Sequence, residues 1–549
     1  MQLYKNFCKE TLDENGNLLD FELQVPENYN FGYDVVDKMA ELAPDDTALV
    51  WTNPEKEEKI FTFADISRLS NKAANVFRKY GIGKGDKVLV ILKRNYEYWY
   101  VAPALHKLGA VIIPATHLLT QSDISYRVKI GDIKAAVCTP DDNTANDLMA
   151  VASQPNTLET VFVCRKNIFG TVDFTTEVEK ADDTLERVDT KAEEPMVIYF
   201  TSGTTGYPKA TAHNHTYTLG HIVTAKYWHC VKEKGLHLTV AETGWAKASW
   251  GKIYGQWLCG SAVMVYDFDK FSPGKLLRIL EKYKVTTFCA PPTVYRYFVK
   301  KDTSKYDLSS LEHITTAGEA LNSEVFEKIK EQLGLTVMEG FGQTESVLML
   351  ANLKGSTPKP GSMGKPTPLY DIHIINDKGE ELGPNETGEI VVVPPKDRKQ
   401  YGIFMSYYGD EKLYEKVWRG GVYHTGDTAY KDEDGYFWYV GRVDDLIKSR
   451  GFRVGPFEIE NVIMQYPNVL ECAVIGVPDK DRGQAIKAIV KMTDGTVSDK
   501  KLENEIKTFC NKRMASYKWI QYLEIVDEFP KTISGKIKRT DLRNQNKYL

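Results

Sequence analysis

Short apolar runs alternate along the chain with longer segments whose apolar residues recur every three or four positions, a rhythm that predicts an α/β fold. Thr47-Ala48-Leu49-Val50-Trp51 and Val88-Leu89-Val90-Ile91-Leu92 read as strands, and the pattern from Phe63 to Tyr80, closed by Gly81, reads as a helix. From residue 196 to about 340 the rhythm repeats. Strands at Ala262–Tyr266 and Val285–Cys289 and helices at Pro273–Lys282 and Asn322–Gln332 predict a second parallel sheet flanked by helices. From about 360 to 440 short strands, Asp371–Ile375 and Thr387–Val393, are broken by Gly, Pro and Asp turns and predict a small β subdomain. After Asp444 a helix from Pro456 to Gln465, strands Ala473–Val477 and Ala485–Val490, and a helix through Lys500 to Cys510 predict a compact α+β unit. The expected architecture is a large N-terminal domain over 1–443, with lobes at about 1–190 and 191–355 and the β subdomain at about 356–443. A small mobile C-terminal domain follows over 444–549, with Asp444 as hinge. The polar stretch Glu177–Glu194 is the expected connection between the two lobes.

Composition narrows the class. At 549 residues the chain exceeds what one core holds, and 70 basic against 75 acidic residues leave no surplus that argues for nucleic acid. Eight cysteines without a CxxC fit reduced thiols rather than a disulfide frame or a zinc site. No apolar run approaches the ~18 residues that cross a bilayer. The first ten residues lack a signal-peptide core and the Arg-rich, acid-poor look of a transit peptide, so a cytoplasmic protein is expected.

The stretch that carries the most chemistry is Thr201-Ser202-Gly203-Thr204-Thr205-Gly206-Tyr207-Pro208-Lys209, which follows the apolar run Met196–Phe200. A strand that empties into hydroxyls and glycines suits a polyphosphate, because backbone N–H groups and hydroxyls can point at its oxygens. It is not a P-loop, since Gly206 is followed by Tyr-Pro-Lys-Ala rather than Lys-Ser/Thr. Gly340-Phe341-Gly342-Gln343-Thr344-Glu345-Ser346 offers an aromatic face for a base, a hydroxyl for a phosphate and a carboxylate for Mg²⁺. Tyr423-His424-Thr425-Gly426-Asp427 ends in an acid suited to two ribose hydroxyls, and Gly441-Arg442-Val443-Asp444 sets a guanidinium beside a candidate pivot. Arg450–Glu460 is a turn running into a helix with Pro at its start, and Pro530–Arg539 is a basic glycine loop whose lysine can enter another domain's site as a point charge.

In this order and spacing these stretches resemble the adenylate-forming superfamily of acyl-CoA synthetases, adenylation domains and luciferases, over nearly the whole chain. The closer likeness is to medium-chain acyl-CoA synthetases, through Glu242–Lys247, Ala290–Thr293 and Gly455–Glu460. The resemblance implies an ATP-dependent, AMP-forming acid–thiol ligase that adenylates a carboxylic acid and passes the acyl group to coenzyme A, with Mg²⁺. It assigns the β- and γ-phosphates to Thr201, Ser202, Gly203, Thr204, Thr205, Gly206 and Lys209, and adenine to Glu319 and Phe341. Thr344 would meet the α-phosphate and Glu345 the magnesium; Asp427 and Arg442 would hold the ribose. Arg453 would come in from the small domain, Gly451 and Phe452 would wall the coenzyme A tunnel, and Lys536 would contact the carboxylate and α-phosphate.

In acetate-activating relatives a tryptophan occupies the position of Gly342, so a deeper acyl pocket is expected here, walled by Trp245, Trp250 and Gly342 and suited to medium-chain, branched or aromatic acids. Five histidines between His213 and His237 invite a metal reading, which the lack of a completing carboxylate disfavours. A stand-alone enzyme that loads a carrier protein and a non-catalytic nucleotide-binding relative stay open beside the ligase. The oligomeric state is also open, a homodimer included.

Overall fold

The structure is a computed structural model, described for residues 2–140, 143–201, 208–319, 321–449, 452–480, 482–493, 496, 499–532 and 536–547. Two large sheets carry most of the chain. The first has eight strands, at whose centre Val111–Pro114, Lys87–Ile91, Ile133–Cys138 and Thr160–Val163 run parallel. The second has nine, with Thr47–Thr52, Ala262–Tyr266, Leu236–Thr239, Thr287–Cys289, His313–Ala317 and Val337–Phe341 parallel.

Both sheets are buried on both faces, which explains why their strands read as unbroken apolar runs. Val88 and Val90 point into the core between the sheets, whereas Leu89 and Ile91 point outward, under the helices Gln121–Gly131 and Thr144–Ala152. The outer face of the second sheet is covered in the same way by Pro273–Lys282, Pro292–Phe298 and Ser323–Leu333. The helix Phe63–Lys79 lies in the central layer. It begins at a capping box between Thr62 and Asp65, presents Phe63, Ile66, Ala73, Ala74 and Phe77 to the core, and stops before Gly81 at φ +78°.

The lobes do not divide the sequence at 190. Thr47–Thr52 belongs to the second sheet, and Pro195–Thr201 joins the first, pairing in parallel with Val111–Pro114 through Val197 and Ile112. Each sheet borrows strands from the other's sequence segment, so Glu177–Glu194 leads back into the sheet that precedes it. Short strands with like periodicity carry no record of which sheet they join, and the sequence reading missed this exchange.

A four-stranded antiparallel sheet contains Asp371–Ile375, Gly388–Val393, Tyr423–Lys431 and Phe437–Arg442; Ile374, Ile390, Val392 and Tyr423 extend the central core into it. The C-terminal domain is a five-stranded sheet with its own core around Ile447, Ile459, Val474, Ile486 and Ile506. Its long hairpin, Val469–Asp479 with Gly483–Met492, is packed by the helices Pro456–Ile463, Lys500–Asn511 and Arg539–Gln545.

Candidate functional site

Segments leaving the carboxyl ends of strands in both sheets meet in one region, as ligand sites in α/β folds do. The strand Pro195–Thr201 is followed antiparallel by Lys209–Asn214, with Thr201 opposite Lys209. Ser202, Gly203, Thr204, Thr205 and Gly206 lie outside the described residues. The feet of that loop are fixed. The Lys209 ammonium sits 5.3 Å over the Tyr407 ring, and the Tyr407 hydroxyl donates to Glu345 Oε1 at 2.8 Å. On the same strand His213 Nε2–H donates to the Thr344 carbonyl at 2.7 Å. Burial pushes the His213 imidazole down to about 4, so it is neutral near pH 7 and can play this donor part. The strand Lys209–Asn214 and the Thr344–Glu345 turn are therefore held together.

A second network braces the acid of the small β sheet. Asp427 stands opposite Arg442 across two antiparallel strands, with the guanidinium 3.2 Å from Oδ2. The Tyr439 hydroxyl donates to Oδ1 at 3.2 Å, and Gln343 Nε2 donates to the carboxylate and, at 2.8 Å, to the Thr425 carbonyl. Gln343 is itself fixed by the Tyr423 hydroxyl, 2.7 Å from Oε1. Gly426, at φ +69°, makes this approach possible, because a Cβ there would lie 2.7 Å from the Arg442 guanidinium. The Phe341 ring lies 6.4 Å from Tyr439, which in turn meets Phe457 of the C-terminal domain edge-on at 5.9 Å. Glu319 is apart from this network: it is exposed and pairs with Arg296 at 3.2 Å.

From the C-terminal domain, Lys536 is exposed on a hairpin in which its N–H donates to Thr532 Oγ1 at 3.1 Å and its carbonyl accepts from Thr532 N at 2.7 Å. It faces the large domain closely enough for its charge to be felt at Lys247, whose ammonium donates to the Ala317 carbonyl at 2.6 Å. Burial, with the Lys536 charge adding to it, lowers the Lys247 pKa. Asp444 is exposed in the turn Val443–Asp445, and its neighbour Asp445 pairs with Arg543 of the last helix. Gly451 lies outside the described residues, as do the side chains of Phe452 and Arg453; their backbone forms the strand Phe452–Val454.

The expected opening at Gly342 takes a different form. A Cβ on Gly342 would come within 2.5 Å of Trp250 Cη2 and 2.7 Å of the Val347 carbonyl. The glycine makes room for the Trp250 indole, which packs edge-on against Trp228 at 6.2 Å. Trp250 and Gly342 are thus brought together. Trp245 is half-buried in the turn before the helix Lys247–Gly251 and makes no ring contact with Trp250 among the described residues.

A family model described as AMP-binding enzyme matches residues 36–408, and one described as AMP-binding enzyme C-terminal domain matches residues 458–536. The chain belongs to the AMP-binding enzyme family. It is 39% identical over 536 residues to the human acyl-coenzyme A synthetase ACSM3, mitochondrial, covering 96% of this chain and 91% of that protein. The human acyl-coenzyme A synthetase ACSM4, mitochondrial, is 38% identical over 543 residues, covering 96% and 93%. Among solved structures, the anthranilate CoA ligase AuaEII in complex with anthranoyl-AMP aligns with a TM-score of 0.87 at 27% identity, over 95% of this chain and 98% of that one. This family member falls on the medium-chain acyl-CoA synthetase side of the adenylate-forming superfamily and is an AMP-forming acid–thiol ligase with ATP and coenzyme A as substrates.

The cytoplasmic expectation is overturned, because these relatives are named mitochondrial. In the stretch read for a targeting signal, Leu3, Tyr4 and Phe7 are buried in the central core.

Several groups of the site escaped the sequence reading. His213, considered above only for a metal, stands on the strand Lys209–Asn214 and holds the Thr344 carbonyl. Tyr407 and Tyr439 come from stretches with no motif character, and only the fold brings their hydroxyls to Glu345 and Asp427. Lys247 had a signal of its own, a lysine inside the apolar run around Trp245 and Trp250.

Proposed function

We propose that this ligase activates a medium-chain, branched or aromatic carboxylic acid, with the large domain over 1–443 holding ATP and acid and the small domain over 444–549 supplying Lys536. Support comes chiefly from the convergence of Thr344, Glu345, Asp427 and Arg442 through the Gln343, Tyr407 and His213 contacts.

In the first half-reaction the substrate carboxylate attacks the α-phosphorus of ATP and pyrophosphate leaves. Thr201, Lys209 and the Ser202–Gly206 stretch hold the departing phosphates, and Thr344 orients the α-phosphate. Asp427 accepts from the ribose hydroxyls beside Arg442, and Phe341 with Glu319 receives the adenine. Lys536 supplies positive charge where the carboxylate and α-phosphate approach, a positional and electrostatic contribution. Glu345 suits a magnesium ion: it is one carboxylate with one oxygen committed to Tyr407, in keeping with an ion held by a single side chain and substrate phosphates. When bound, that ion neutralises charge on the phosphates.

In the second half-reaction the coenzyme A thiol displaces AMP from the acyl adenylate. We assign the change between them to rotation of the small domain about Asp444, which withdraws Lys536 and brings Gly451 and Phe452 to the pantetheine path, with Arg453 serving the nucleotide. Trp250 and Gly342, with Trp245, bound the acyl chain.

The test is a panel of carboxylates assayed for pyrophosphate release with and without coenzyme A. Turnover with C5–C8, branched or benzoic acids and poor turnover with acetate is the expected result. A preference for acetate would remove the acid assignment, and pyrophosphate release that coenzyme A leaves unturned would favour a carrier-protein acceptor.

A further inference from the structure

The loop assigned to the departing phosphates leaves the first sheet after Phe200 and Thr201 and returns to it at Pro208 and Lys209. Its ends are paired across the two strands, Phe200 with Ala210 and Thr201 with Lys209. A third element grips both ends. The helix Gln121–Gly131, on the outer face of that sheet, places two adjacent side chains against them.

Where the chain enters the loop, the Arg127 guanidinium sits 5.3 Å over the Phe200 ring, and the Tyr126 ring meets the same ring edge-on at 6.4 Å. Where the chain returns, the Tyr126 hydroxyl donates to the Pro208 carbonyl at 3.2 Å. Proline has no N–H, so this carbonyl is the one backbone group by which Pro208 can be hydrogen-bonded. Arg127 is 6% exposed, and burial works against its charge. The aromatic face of Phe200, the residue before Thr201, offsets part of that penalty.

The helix is itself fixed. It opens on a capping box between Thr120 and Asp123, and the Asp123 carbonyl accepts from Arg127 Nη1 at 2.9 Å. It closes at Asp132, in the left-handed region at φ +46°, whose Oδ2 accepts from the Tyr408 hydroxyl at 2.9 Å. Tyr408 donates its backbone N–H to the Ala210 carbonyl at 2.7 Å, on the strand that faces Phe200.

Pyrophosphate takes part in the first half-reaction only, and the line of attack on the α-phosphorus depends on where the β- and γ-phosphates are held. We propose that Tyr126 and Arg127 are positioning residues of the adenylation half-reaction, which act through Pro208 and Phe200 to fix how the loop presents its groups to the departing phosphates. Both act on the loop and not on the substrate. The inference rests on the reading of 201–209 as the phosphate loop, and a variant of the loop itself tells the two apart.

The experiment compares Tyr126→Phe, which loses one hydroxyl and keeps the ring on Phe200, Arg127→Met, which keeps the length and loses the charge, and the loop variant Thr205→Ala. Each is assayed for acid-dependent ATP–pyrophosphate exchange with ATP and pyrophosphate varied, and for single-turnover thioester formation from supplied acyl adenylate and coenzyme A. Tyr126→Phe should raise the KM for ATP and for pyrophosphate about 3–10-fold, the scale of one hydrogen bond, and Arg127→Met about 10–30-fold. Thioester formation and the KM for the acid should stay within about twofold. Arg127→Lys, which restores a charge without the planar guanidinium, should recover part of the loss. If Arg127→Met melts early, Tyr126→Phe decides the matter. Equal losses in both half-reactions, or unmoved KM values for ATP and pyrophosphate in Tyr126→Phe, would overturn the proposal. Normal exchange by Thr205→Ala would sink the reading of the loop and the proposal with it; impaired exchange there beside unchanged Tyr126 and Arg127 variants would sink the proposal alone.

Discussion

The Asp427 network and the Lys536 hairpin are built in opposite ways. Asp427 is buried, and both its oxygens are engaged by Arg442, Tyr439 and Gln343. Lys536 is exposed, its hairpin closed by local contacts with Thr532. A group that serves both half-reactions gains from being preorganised, because no reorganisation is then needed at the moment of reaction. A group wanted in one half-reaction only has to leave, and an exposed lysine leaves at small cost in contacts. On the proposed roles, how firmly each of the two side chains is braced tracks how long it is needed.

The comparison breaks first at Lys536. Lys536→Ala should reduce acid-dependent ATP–pyrophosphate exchange by about 10³-fold, the scale of a lost transition-state charge, with little change in melting temperature. A variant that melts early would mean the lysine is structural. Asp427→Asn should raise the KM for ATP and cut kcat/KM about 10–100-fold, since charge-assisted hydrogen bonds to ribose are lost while the scaffold stays. An unchanged KM for ATP would remove Asp427 from the ribose site.

A smaller effect is expected at Gly342. Gly342→Ala places a Cβ against Trp250 and should cost about 1–3 kcal/mol of stability by overpacking. It should also shift the chain-length profile toward short acids. A profile that stays put would take Gly342 out of the acyl pocket.

The gentlest test is pH. Burial lowers His213 and His215 to about 4 and His221 and His237 to about 3, against an ordinary imidazole of 6.5. The unfolded chain binds these protons first, so stability is full above about pH 6.5 and falls as pH drops toward 4. Melting temperature measured from pH 8 to 4.5 should decline only below about 6.5. A flat profile would mean that these rings take up protons without leaving the core.

Much of the fold was legible because strands buried on both faces leave apolar runs, and because Thr62–Asp65 and Gly81 punctuate a helix locally. The exchange of Thr47–Thr52 and Pro195–Thr201 between sheets was not, since strand pairing is a long-range fact that local periodicity does not encode. The same holds for the site. Thr344, Glu345, Asp427, Arg442 and Lys536 lie in stretches dense in polar groups and glycine. Tyr407, Tyr439 and His213 act through hydroxyls and a ring nitrogen that only the folded chain brings to their partners. Gly342 and Trp250 are expected together as pocket walls, and the folded chain adds that the indole, from the helix Lys247–Gly251, packs directly over the glycine.

The division of labour between the braced acid and the exposed lysine is tested most directly by giving Lys536→Ala a preformed acyl adenylate and coenzyme A and timing thioester formation. The expected rate is within a fewfold of wild type, although the same variant hardly exchanges pyrophosphate. Equal loss of both half-reactions would contradict the account.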